Sequence, residues 1–279
     1  MVPRGRWGAQ RIGRSIEVRL DPCCFRLHRK ALLIHNRDRA QFYMAAGTLN
    51  FIHDNPAYTA SEAARILGLP LATLKAWSFG QAYRLPSSGA RRRSHAVIRP
   101  ADAKRRLLSF ANLCELHVLS AIRRHHKIPL PKVRGSVDFV RRKLGSDRPL
   151  LDRDFKTNGI DLFVNHASTL LNVSRQGQES MRGEFETALA RIERDHSGAP
   201  IRLFPFSRSS SADKNQPKTV VIDPRLAFGR PVISEIAVPT AIIIDRFRAG
   251  DSMAEMAGDY GVREEDIEEA LRFEQRLAA

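Results

Sequence analysis

A short pattern is written twice in this chain, 193 positions apart, and each copy leaves room for little besides two helices joined by a tight turn. The first copy is Thr59-Ala-Ser-Glu62-Ala-Ala64-Arg-Ile-Leu-Gly68-Leu-Pro-Leu-Ala-Thr-Leu74-Lys-Ala-Trp77. The second is Ser252-Met-Ala-Glu255-Met-Ala257-Gly-Asp-Tyr-Gly261-Val-Arg-Glu-Glu-Asp-Ile267-Glu-Glu-Ala270. In both, a glutamate follows a hydroxyl residue by three positions. That spacing lets the hydroxyl accept from the glutamate's amide while the carboxylate accepts from the cap amide, so a helix starts there. Gly68 and Gly261 can take the left-handed conformation that ends it. Ala64 and Ala257 are small where the two helices cross. The pattern predicts two helix-turn-helix units.

Charge separates the copies. The first carries Lys75 on its second helix and a basic segment behind it; the second carries Glu264, Glu265, Asp266, Glu268 and Glu269. A phosphate backbone attracts the first and repels the second. The same asymmetry runs through the 279 residues, whose net charge of +16 divides into +7 over 1–43, +13 over 44–217 and −4 over 218–279. A basic body with an acidic end predicts nucleic acid as one partner and a basic protein surface as another.

Residues 1–43 are Arg-rich and aperiodic and hold Cys23 and Cys24, two of the three cysteines. Their one apolar stretch, Ala31 to Ile34, is hemmed by cations and makes a poor secretory signal. This segment is expected to be disordered, with Met44 as the true start of translation. No apolar run approaches the ~20 residues of a membrane span, so no membrane partner is expected. Three cysteines make no disulfide framework and fit a reducing cytoplasm.

The residues from 44 onward predict a mainly α fold: two helix-turn-helix units, the first winged, joined by a helical middle region with a β-hairpin. The expected divisions are 44–100, 101–206, a linker at 207–217, and 218–279. In the first, helices at about Ala60–Leu67 and Pro70–Phe79 are followed by turn formers Pro86 to Gly89 between two short strand-like runs, the sequence form of a wing. In the second, Leu107 to Ile122 carries a wide apolar stripe at helical spacing, and another helix follows at about Val133–Leu144. Asn158-Gly159 between apolar runs predicts a hairpin turn. Glu184 to Arg194 reads as a helix and Ile201 to Phe206 as a strand. The Ser-rich stretch 207–217 reads as a flexible tether. Beyond it a helix starts at Pro239 and ends at Gly250.

Two resemblances add to this reading. Tyr58-Thr-Ala-Ser-Glu-Ala-Ala-Arg-Ile-Leu-Gly-Leu-Pro with Thr73-Leu-Lys-Ala-Trp77 resembles the DNA-binding end of MerR-type winged helix-turn-helix proteins. Ile222-Asp-Pro-Arg-Leu-Ala-Phe-Gly-Arg-Pro-Val-Ile233, Val238-Pro-Thr240 and Phe247 to Gly261 resemble domain-of-unknown-function family 433, with Ser234-Glu-Ile-Ala departing from that family's Gly-containing turn. The order of the two resembles VapB-like antitoxins of type II toxin–antitoxin modules. The resemblance implies an antitoxin that represses its own operon on double-stranded operator DNA, as a homodimer, and neutralises a PIN-like ribonuclease toxin. The alternative is a stand-alone MerR-like regulator whose C-terminal domain dimerises or binds a ligand.

The candidate DNA-binding residues follow from this frame. Leu74 and Trp77 turn to the core, which leaves Thr73 and Lys75 for the major groove, where one base contact is worth roughly 1–3 kcal/mol. Arg91, Arg92, Arg93 and His95, with Arg84 on the same wing, are phosphate anchors carrying little sequence information. The competing readings are a solvated helix face and a charged loop. Glu264, Glu265, Glu268 and Glu269 are the candidate contacts to a basic partner, against a plain solvated face. Cys114 and His117 lie three apart on one helix, but zinc needs about four ligands and no second pair is present, so core packing is expected. Asp147, Asp152, Asp154 and Asp161 read as loop residues and caps. No nucleophile motif, phosphate-cradling glycine loop or cofactor fingerprint occurs, so neither enzyme activity, a metal nor a cofactor is expected.

Overall fold

In a computed structural model the chain is described over residues 52–84, 89–126, 128–171, 173–208 and 216–278. The expectations for 1–43, including the start at Met44, lie outside these residues. Both capping patterns form. The Thr59 amide donates to Glu62 Oε2 (2.8 Å) and the Glu62 amide to Thr59 Oγ1 (3.2 Å), starting α1 (Ala60–Leu67), which ends where Gly68 turns left-handed. The same pair recurs 193 residues on, Ser252 amide to Glu255 at 2.9 Å and Glu255 amide to Ser252 at 3.2 Å. Even the turn hydrogen bonds correspond: Leu69 donates to the Ala64 carbonyl and Val262 to that of Ala257.

Helix α2 (Leu71–Phe79) buries Leu74, Ala76 and Trp77 against α1 and ends at Gly80. There φ is 74° and ψ 174°, a region open essentially to glycine, and a Cβ would overlap the Ser94 carbonyl oxygen. The chain reverses into β1 (Gln81–Arg84), antiparallel to β2 (Arg91–Ser94). After a basic turn come α3 (Phe110–His126), α4 (Leu130–Leu144), α5 (Ile160–Leu171) and α6 (Arg175–Leu189), then the hairpin β3 (Ile192–Arg194) and β4 (Pro200–Leu203). One apolar core runs from Tyr58, Leu74 and Trp77 through Leu113, Leu116, Phe163 and Phe185 to Leu203 and Ile222. The first helix-turn-helix is thus packed on the helices behind it, which fix its orientation.

The middle region differs from the sequence expectation in two places. Asn158-Gly159 is no hairpin turn: Phe155–Gly159 is one turn of π-helix leading into α5. Phe155, Ile160, Phe163 and Val164 are buried at helical spacing, and the rings of Phe155 and Phe163 meet Phe185 edge-on at 5.5 and 5.0 Å. A strand would have turned half of these side chains to water. The hairpin of this region is β3–β4 instead, turning at Asp195, which accepts from the Ala199 amide. The helix expected from Glu184 to Arg194 begins at Arg175 and stops at Leu189.

The C-terminal part begins on the same sheet edge, Leu203 and Ile222 exchanging backbone bonds of 3.0 and 2.8 Å. It continues through β5 (Val220–Val221), β6 (Val232–Ile233), α7 (Thr240–Ala249), α8 (Met253–Tyr260) and α9 (Glu264–Ala278). Pro239 stands just before α7 rather than inside it. The turn at Ser234-Glu-Ile-Ala keeps a left-handed residue, Ala237, at φ 54°. Ile233, Ile243, Met256, Ile267, Ala270 and Leu271 form a second core.

The stretch 207–217 is stitched down at both ends. Arg191 is 4 % exposed and donates to the carbonyls of Phe204 (2.7 Å), Pro205 (3.2 Å), Gln216 (2.9 Å) and Pro217 (2.9 Å). Two further contacts fasten the C-terminal part to the first helix-turn-helix. The Tyr58 hydroxyl donates to the Gly229 carbonyl (2.9 Å), and Arg276 on α9 donates to the Ile66 carbonyl (2.9 Å) at the end of α1. Among the described residues, no helix is long and apolar enough to cross a membrane.

Candidate nucleic-acid interface

With Leu74 and Trp77 committed to the core, α2 presents Leu71, Ala72 and Lys75 outward, and Thr73 is half-buried beside them. The wing follows directly. Its register pairs Arg84 with Arg91 and Ala82 with Arg93 on one face, and Tyr83 with Arg92 on the other. Directly opposed residues share a face, so the three consecutive arginines spread cations over both sides of the ribbon. Arg84, Arg91, Arg92 and Arg93 are all exposed. Arg93 also donates to the Phe79 carbonyl (3.2 Å), which ties the wing to the end of α2. Residues 85–88, the wing tip, lie outside the described residues.

His95 is exposed and at the same time reaches α4. Its Nε2 stands 3.0 Å from Asp138 on α4, and Arg141 bonds the same carboxylate and the Val97 carbonyl (2.9 Å). This group braces the wing's return strand against α4. A set of cations not singled out from the sequence joins the interface: Lys104, Arg105 and Arg106 are exposed on the turn before α3. The Arg106 guanidinium lies 4.7 Å over the Phe79 ring, which places this turn at the C-terminal end of α2. The sequence signal was the run Lys104-Arg105-Arg106 itself, but nothing local to it tells which face it joins.

The stretch that builds α2 and the wing is one-sided in charge. Between Glu62 and Asp102 the chain has seven Lys and Arg residues and no Asp or Glu. Cations on a ribbon beside an exposed helix face are arranged to neutralise phosphates and release their counterions. Lys75 on α2 is the one lysine or arginine of that helix and stands where a groove edge would be read.

The acidic candidates divide. Glu264, Glu265 and Glu268 are exposed, and Glu268 is bonded by Arg272. Glu269 is not on this face: it is 3 % exposed and accepts from the Ser207 hydroxyl and from Arg208 (3.1 Å). Asp266 is likewise turned inward, accepting from Thr219 (3.1 Å) and Arg263 (2.9 Å). A buried carboxylate needs such donors, and these two have found theirs within the chain.

Cys114 and His117 pack as core residues. Burial pushes the Cys114 thiol well above its ordinary range, and the His117 ring stacks on Phe206 at 5.0 Å. Next to them Glu115 is 2 % exposed, with Asn112 Nδ2 at 3.0 Å and Arg148 Nη1 at 3.4 Å. Burial raises Glu115 to about 7 against the pull of Arg148. Asp161 is paired with Arg182 (2.6 Å), Asp147 with Arg99, and Asp152 accepts from the Asp154 amide (3.0 Å). Among the described residues, no group of three or more His, Cys, Asp and Glu side chains is placed to hold a metal ion.

The chain is similar to known proteins over most of its described length. Residues 56–137 match the family described as "Putative DNA-binding HTH domain", which covers α1, α2, the wing and most of α3–α4. Residues 220–273 match "Protein of unknown function (DUF433)". The chain is 30% identical over 236 residues to "Putative antitoxin VapB45" of Mycobacterium tuberculosis (strain ATCC 25618 / H37Rv), spanning 78% of this chain and 93% of that protein. It is 22% identical over 234 residues to "Uncharacterized protein Rv2308" of the same strain, spanning 80% and 92%. The X-ray structure of Rv2018 from Mycobacterium tuberculosis superposes with a TM-score of 0.55 at 26% identity, over 78% of this chain and 98% of that one.

Proposed function

The chain belongs to the family of "Putative antitoxin VapB45", and on that premise we propose that it is the antitoxin of a two-component module which also represses its own operon. The DNA half of this reading rests on α2 and the wing. Lys75 and Thr73 enter the major groove, while Arg84 and Arg91 to Arg93 grip phosphates on either side of the ribbon. Lys104 to Arg106 extend that grip past the end of α2. The observation that carries it is the stretch from Glu62 to Asp102, free of acidic residues, on a helix-turn-helix packed into the main core and the hairpin that follows it.

One α2 of nine residues reads too few base pairs to specify an operator, so two chains bind a repeated half-site. The toxin half rests on the C-terminal part, whose acidic balance disfavours phosphate. It covers a PIN-like ribonuclease encoded beside it. A reporter driven by the chain's own upstream region tests the repressor role. Expression of the chain should silence it, Lys75→Ala should relieve the silencing, and a reporter indifferent to the wild-type chain would refute the reading.

A further inference from the structure

The loop between β5 and β6 holds an aromatic ring that the fold itself does not use. Phe228 is 96 % exposed, more than any other large hydrophobic side chain among the described residues. Its backbone is left-handed (φ 56°, ψ 35°), and so are both neighbours, Ala227 at φ 44° and Gly229 at φ 75°. A non-glycine residue in this region is disfavoured, and two in succession persist only where the surroundings over-determine them.

The surroundings do so here. The buried Asp223 carboxylate takes the Arg225 amide (2.9 Å), the Arg225 guanidinium (2.9 and 2.6 Å) and Arg202 Nε (3.1 Å). Leu226 and Ala227 pack on the small core of Phe204, Val221 and Val232. Gly229 is clamped by the Tyr58 hydroxyl, and a Cβ there would overlap that oxygen. The loop is built to stand still and hold one ring out in water.

We propose that Phe228 is the anchor by which the C-terminal part grips its protein partner, the ring entering an apolar pocket on that partner. This rests on the antitoxin reading and names the surface that carries it. Anchors of this kind are aromatic or Arg side chains on a rigid, preorganised site, ringed by neighbours that exclude water. The far end of the loop leads to further exposed apolar side chains. Val232 bridges to Pro239, and Thr240 donates its amide to the Pro231 carbonyl (3.1 Å). That pairing brings the Arg230 end of the loop to the first turn of α7, where Ala241 and Ile242 are exposed.

Arg230 is exposed and makes no ion pair among the described residues, so the pocket has a carboxylate at its mouth. DNA is the poorer occupant, because residues 218–279 carry a net −4.

The test uses the full chain and the purified product of the adjacent reading frame. Binding is titrated for the wild type, Phe228→Ala, Phe228→Gly and Arg230→Glu, alongside thermal unfolding, solution mass and affinity for the upstream DNA. Phe228→Ala and Phe228→Gly should each weaken binding by about thirtyfold or more, the loss expected of an anchor residue. Neither should unfold earlier than the wild type, and DNA affinity and solution mass should stay unchanged. Arg230→Glu should weaken binding less. Wild-type binding that survives both Phe228 variants overturns the anchor and leaves the antitoxin reading standing. Loss of DNA affinity or of a dimer in the variants assigns the loop to DNA or to a second copy and overturns it as well. A wild-type chain that does not bind the neighbouring product overturns both readings together.

Discussion

Replacing Arg91, Arg92 and Arg93 by Ala removes three cations from a ribbon whose other contacts stay in place. All three side chains are exposed, and the bond from Arg93 to the Phe79 carbonyl is the one fold contact described for them. Each phosphate neutralised contributes about 0.9 to the slope of log affinity against log salt on duplex DNA. Three lost contacts lower the slope by about 2.7 per chain. Between 50 and 200 mM salt the wild-type affinity should therefore fall about 40-fold more per bound chain than that of the variant. Fluorescence anisotropy on the chain's own upstream DNA at four salt concentrations reads this directly, and circular dichroism checks that the helices are intact. Arg91→Ala with Arg92→Ala, which spares the Phe79 contact, should change the slope by about 1.8. His95 pairs with Asp138, so His95→Ala should leave the slope alone. A triple variant with the wild-type slope and an intact fold would refute the placement of the wing on DNA.

Three other perturbations follow from particular positions. Gly80→Ala forces a Cβ into the Ser94 carbonyl at a backbone conformation closed to alanine, so it should displace the wing and destabilise the fold by about 2 kcal/mol or more in urea unfolding. A variant of unchanged stability would contradict this. Glu115→Gln tests the buried carboxyl. Its folded-state pKa of about 7 lies above the unfolded value of 4.5, so the folded state keeps a proton that the unfolded chain has released. The contribution of this one group is then most favourable below pH 4.5, falls as pH rises towards 7, and amounts to a cost of about 3 kcal/mol above that. The variant should lose this pH dependence between 5 and 8; an equal drop in both proteins would sink the argument. Phe228→Gly should raise stability by about 0.5–1 kcal/mol, since relief of the left-handed strain outweighs the added freedom of the unfolded chain and no buried surface is lost. Phe228→Ala, which keeps the strain, should not, and equal unfolding curves for the Gly and Ala variants would count against it.

The capped helices were legible because their signals are local. Thr59 with Glu62, Ser252 with Glu255, and the glycines that end each helix lie within ten residues of one another and need no tertiary help. The wing was legible for the same reason, turn formers between two short runs. Asn158-Gly159 shows where local signals fail. The dipeptide favours a hairpin turn, but burying Phe155 and Phe163 against Phe185, more than twenty residues away, favours a helix and decides the matter. Glu269 belongs to the same class. On its own helix it reads as one more solvated acid, and its partners Ser207 and Arg208 stand some sixty positions earlier in a stretch that reads as a tether. The fastening of that stretch by Arg191 is equally invisible along the chain. Phe228 is not legible in the same way, since Leu-Ala-Phe-Gly gives no sign that three successive residues turn left-handed.

Neutralisation of a neighbouring product through the C-terminal part is tested most directly by growth. The adjacent reading frame, induced alone, should arrest growth, and co-induction of the full chain should restore it. The full chain carrying Phe228→Ala, expressed to the same level, should fail to restore it while still silencing the upstream reporter. Arrest relieved equally by the wild type and the variant would move the contact elsewhere on the chain. A neighbour that is harmless at confirmed expression would contradict the antitoxin account and leave a DNA-binding regulator in its place.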